Sequence, residues 1–136
     1  MNGNECSYTG VVNANMNPRI EQEEDLHIIK DFILLPILLD MLVRDMEELK
    51  LYEDKIVYSH VILYLQQVEG LIHAELQAIK ARMRKQDIQI LTANRNAQGI
   101  QVEYKVRGYI HRFSMLRSLI KAELMTMLTG LRGRTP

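Results

Sequence analysis

Hydrophobic residues follow one rhythm in most of this chain and a different one in a short stretch near residue 100. Between about 20 and 49, Ile28, Phe32, Leu35, Leu39, Leu42, Met46 and Leu49 recur at alternating spacings of four and three, which puts them on one stripe of a helix. Ile33, Leu34, Ile37, Leu38 and Met41 lie off that stripe, so the middle of the helix is apolar almost all round and needs a second cover. The run Glu21-Gln22-Glu23-Glu24-Asp25 suits the helix N-terminus. Pro36 is expected to kink or divide the helix, because proline lacks an amide and clashes with the preceding turn. A longer helix over about 53–85 carries the seam Val61, Leu65, Val68, Ile72, Leu76, Ile79 and Met83. It closes on Lys80, Arg82, Arg84 and Lys85, cations that favour a helix C-terminus.

The period then changes to two. Ile88 and Ile90 flank Gln89, while Ile100, Val102, Tyr104 and Val106 alternate with Gln101, Glu103, Lys105 and Arg107. These are the marks of two half-buried strands, and the turn-prone residues Ala93 to Gly99 between them predict a β-hairpin over about 87–107. Two strands alone are marginal in water, so their apolar face should rest on helices. Gly108 reads as the break into a third helix, about 109–129, with the stripe Tyr109, Phe113, Leu116, Ile120, Leu124 and Met127 and a stop at Gly130. The predicted fold is therefore mainly α: a three-helix bundle with one β-hairpin inserted between the second and third helices. It forms a single domain over 19–130. Residues 1–18, with five asparagines and two glycines, read as a disordered N-terminal tail, and 131–136 as a basic C-terminal tail.

Composition supports a folded chain, with 47% hydrophobic and 25% charged residues among 136. The lone cysteine, Cys6, permits no intrachain disulfide and fits a reducing, cytoplasmic setting. The polar start of the chain does not resemble a secretory signal. The longest apolar run, Phe32 to Val43, is interrupted by Asp40 and falls short of the roughly 20 residues a bilayer needs, so no membrane association is expected.

Net charge is zero, but residues 1–70 hold thirteen Asp/Glu against five Lys/Arg, and residues 71–136 hold four against twelve. The basic half could form a surface for a polyanion, or could neutralise the acidic half within the fold or across an oligomer. Arg84, Lys85, Arg95, Lys105, Arg107, Arg112 and Arg117 are the candidate nucleic-acid contacts, with the hairpin acting as a wing. Glu103 and Asp87 interrupt this patch, and Tyr104 alternates inward rather than offering a stacking face.

Catalytic signatures are weak. The glycines are scattered rather than clustered as a phosphate loop requires, and Ser59 and His60 are helix neighbours whose side chains diverge. The pair Glu24 and His27 has the spacing of a carboxylate-bridged metal site but occurs once, and Glu69 with His73 suits a surface pair. No catalytic residue, metal or cofactor is expected.

Pro36-Ile37-Leu38 ahead of Arg44-Asp45, and Tyr104-Lys105-Val106-Arg107-Gly108-Tyr109 joining strand to helix, resemble the YhjD-like proteins of Bacillus-type bacteria over about 28–127. The resemblance implies a bacterial origin, in a spore-former, and the same architecture. That family's activity is uncharacterised, so the resemblance brings no catalytic residues. The function expected is that of a non-enzymatic, self-associating interaction or regulatory protein, a dimer foremost, with Ile33, Ile37 and Met41 as interface. The alternative is a nucleic-acid-binding regulator using the basic hairpin and third helix.

Overall fold

The computed structural model describes residues 23–134; the tail expected over 1–18, Cys6 and the last two residues lie outside the described residues. Helix α1 (Glu23–Leu49) and helix α2 (Ile56–Gln86) form an antiparallel hairpin, joined through a short 3₁₀ turn at Lys50–Tyr52. Strands β1 (Ile88–Arg95), β2 (Gly99–Val106) and β3 (Tyr109–Leu116) follow as an antiparallel meander, and helix α3 (Arg117–Arg132) ends the fold.

The acidic first turn of α1 is as the sequence suggests, and Pro36 sits on its exposed side within a helix that continues to Leu49. Ile28, Leu35, Leu42 and Met46 of the first stripe are buried, as are Val68, Ile72, Ile79 and Met83 of the second. At the start of α2, Ile62 is buried in place of Val61, which is exposed. One face of the sheet closes the core with Ile88, Ile100, Val102, Tyr104 and Val106. Tyr104 is nearly stacked on His111 at 5.5 Å and meets Phe113 edge-on at 5.7 Å, a geometry that adds to the burial term.

The sheet has three strands where a two-stranded hairpin was expected, because residues 109–116 form a strand rather than the first half of a third helix. Arg107 and Gly108 both take positive φ, 48° and 93°, as a two-residue hairpin turn requires, and Val106 pairs directly with Tyr109. The chain therefore reverses at Gly108 instead of entering a helix. Tyr109, Phe113 and Leu116 satisfy a helical spacing, but the same segment alternates: His111 and Phe113 are half-buried and Met115 buried, whereas Ile110, Arg112, Ser114 and Leu116 are exposed. The aromatic and β-branched residues of Tyr109–Phe113 favour a strand. At the other end of the sheet Asn96 accepts hydrogen bonds from the amides of Gln98 (2.8 Å) and Gly99 (3.0 Å). Gly99 is needed there because a Cβ at that position would lie 1.9 Å from the Met115 carbonyl oxygen. The third helix starts at Arg117, runs through Gly130 and buries Leu131.

Candidate interaction surfaces

Of the three residues expected to form an interface on α1, Ile33 and Ile37 are half-buried against the core, while Met41 is exposed. The sheet and α3 thus cover much of the second apolar face. The larger exposed apolar surface lies at the end where α1 passes into α2. Leu51 is 76%, Ile56 87% and Val57 69% exposed, with Tyr52, Tyr58, Val61 and Leu63 also open. Tyr52 and Tyr58 meet edge-on at 5.6 Å, tying the 3₁₀ turn to the first turn of α2.

The reach of α3 explains why this end is bare. Glu123 in α3 lies 3.8 Å from Lys30 of α1, and Arg134, just past the end of α3, pairs with Glu75 of α2 at 3.2 Å. Helix α3 therefore starts beside the sheet and stops near Glu75. Residues 56–74 of α2 extend roughly 28 Å further at 1.5 Å per residue. Around this end Arg44 pairs with Asp40 (3.2 Å) and Lys50 with Glu47 (3.1 Å). Solvent-exposed pairs of this type contribute little to stability.

The basic candidates are not brought to one place. Arg84 and Lys85 end α2, exposed, and Lys105 lies at the same end of the sheet. Arg95 and Arg117 are at the opposite end, where the Arg117 amide donates to the Gln98 carbonyl at 2.8 Å. An eight-residue strand, about 23 Å long, separates the two groups. Arg112 projects between them and is held by Glu103 at 2.9 Å.

Arg107, expected on the outer face, turns back toward the helices. Its guanidinium donates to Asp25 at 2.6 Å and to the Gln86 carbonyl at 3.1 Å, and its amide donates to the Asp87 carbonyl at 2.8 Å. Asp25 is only 2% exposed. This contact links the start of α1, the end of α2 and the β2–β3 turn, and it joins the acidic first half of the chain to the basic second half. A second polar layer surrounds Asp31, whose carboxyl is pushed above its ordinary range mainly by burial. His27 and Arg82 oppose that rise, while Glu75 and Glu123 reinforce it.

An open groove of about 390 Å³ has Phe32, Met83, Ile88 and Ile90 on its walls, with Lys80 and Arg84 as its charged groups. Among the described residues no group of three or more His, Cys, Asp or Glu could hold a metal ion. His27 lies 3.6 Å from Asp31 and His73 lies 3.9 Å from Glu69, both as neighbours along one helix. No described helix is long and apolar enough to cross a membrane.

The apolar end of the helical hairpin was missed from sequence because Leu51, Tyr52, Ile56 and Val57 flank the charged Glu53-Asp54-Lys55 and belong to no seam. Their density beside a helix start was the available signal. The model of the YhjD protein family matches residues 19–135. No curated protein and no solved structure matches the chain.

Proposed function

We propose that this chain, which belongs to the YhjD protein family, is a non-enzymatic interaction protein that pairs with a second copy of itself through the apolar end of the α1–α2 hairpin. The observation that carries this reading is the exposure of Leu51 in the 3₁₀ turn and of Ile56, Val57 and Val61 on the part of α2 that α3 does not reach. Soluble monomers rarely leave contiguous apolar patches larger than a few hundred Å² exposed. The same helix pair from a second copy, packed against these exposed side chains, would extend the core as a four-helix layer. Such a contact uses one patch on both subunits, related by a two-fold axis. The single cysteine fits a reducing, cytoplasmic setting for this assembly.

Light scattering at micromolar concentration tests the reading. The wild-type particle should exceed the 15.8 kDa of one chain, and Ile56→Asp/Val57→Asp should lower its mass while keeping the far-ultraviolet spectrum and the urea midpoint of a folded chain. A wild-type monomer, or a mass that the double substitution leaves unchanged, refutes it.

A further inference from the structure

The two edges of the sheet are built differently. On β1 the pairing slips between Ile90 and Thr92, leaving Leu91 as a bulge, the kind of irregularity that keeps an edge from pairing with another strand. On β3 all eight pairs with β2 run without a break, from Gly99 opposite Leu116 to Val106 opposite Tyr109. β3 contains no proline, lysine or bulge, and the helix packed on it is α3, which leaves from its end. The Arg117 amide continues the β2–β3 ladder to Gln98. Alternation then turns the amides and carbonyls of Ile110, Arg112, Ser114 and Leu116 away from β2, toward a side where no other described strand pairs. The outer-face ladder positions are polar or glycine except Ile110 and Leu116, which are 61% and 60% exposed.

We infer that β3 pairs with β3 of a second copy, antiparallel about a two-fold axis at Phe113, to make a continuous six-stranded sheet. Face matching in an antiparallel pair leaves two central registers, one about Arg112 and one about Phe113. The first sets Arg112 against the partner's Arg112, like charges directly opposite, which is unfavourable. The second sets Ile110 against the partner's Leu116 and Arg112 against the partner's Ser114, with Glu103 still neutralising each arginine. Only the second joins the two exposed apolar residues of the outer face and avoids the charge clash. This contact is independent of the hairpin end, since it uses a different element and neither needs the other.

Disulfide trapping reads the register at exposed positions, where cysteine leaves the core untouched. In a Cys6→Ser background, chains carrying Ile110→Cys and Leu116→Cys are mixed and mildly oxidised. Cα atoms of a hydrogen-bonded antiparallel pair stand about 5.5 Å apart, within disulfide reach. The expected result is loss of most monomer to a mixed disulfide dimer, with little linkage in either variant alone. The same result is expected with Ile56→Asp/Val57→Asp added, which separates this contact from the one at the hairpin end. Linkage of Ile110→Cys to Ser114→Cys instead, or no linkage in any mixture, overturns the proposal.

Discussion

Replacing Arg107 with Ala removes the cation facing a carboxylate that is almost wholly out of water. Breaking a buried ion pair from one side costs about 3–5 kcal/mol, because a charge held out of water loses its opposite. The Arg107 side chain is 27% exposed, so water reaches the vacated space and the lower end, about 3 kcal/mol, applies. The lost bond to the Gln86 carbonyl contributes about 1 kcal/mol of that total. Against a whole-domain stability of about 5–15 kcal/mol this is a large fraction, equivalent to a fall in Tm of about 10–15 °C. Asp25→Ala should be milder, since Arg107 can then swing into solvent. Urea unfolding followed by circular dichroism at pH 7 and one fixed protein concentration measures both single variants and the double variant. The expected coupling between the two sites is about 2 kcal/mol, within the range for residues in one charged network. An Arg107→Ala cost under about 1 kcal/mol, or a coupling within the additivity error of about 0.5 kcal/mol, refutes the assignment of Arg107 as the link between turn and helices.

Gly99→Ala forces a Cβ to within 1.9 Å of a backbone oxygen, so β2 and β3 must separate. A loss of several kcal/mol is expected by urea unfolding, and a loss under about 1 kcal/mol would show that the close approach is not required. Asp31 has a folded-state pKa raised above 3.8, so the folded chain holds that proton more tightly than the unfolded one. Its ionised form therefore weakens the fold at neutral pH, and stability is recovered as pH falls through the raised value toward 3.8. Asp31→Asn should raise the urea midpoint at pH 7, with a gain that shrinks toward pH 4; a lower midpoint at pH 7 would mean that pairing with His27 and Arg82 outweighs burial.

Sequence periodicity located α1, α2 and the β1–β2 pair because each has a single dominant rhythm. Residues 109–116 obey both rhythms at once, and the choice depends on a turn whose first residue, Arg107, is not one of the usual positive-φ types. Alternation from Val106 would send Arg107 outward; the left-handed backbone at that position instead returns it to Asp25. Assigning 109–116 to a strand also shortens the third helix to the sixteen residues Arg117–Arg132, and a helix of that length cannot cover all of α2. The apolar end at Ile56 and Val57 was thus hidden by the same ambiguity that hid β3. The distribution of charge was legible only as a division along the chain, since the separation of Arg84 and Lys85 from Arg95 and Arg117 is set by strand direction.

Self-association through the hairpin end is tested most directly by amide hydrogen exchange of the full chain, followed by mass spectrometry at low and high protein concentration. Peptides covering residues 51–65 should exchange more slowly in the concentrated sample, while those covering the covered part of α2, residues 75–86, should not change. Exchange over residues 51–65 that is the same at both concentrations would contradict the account.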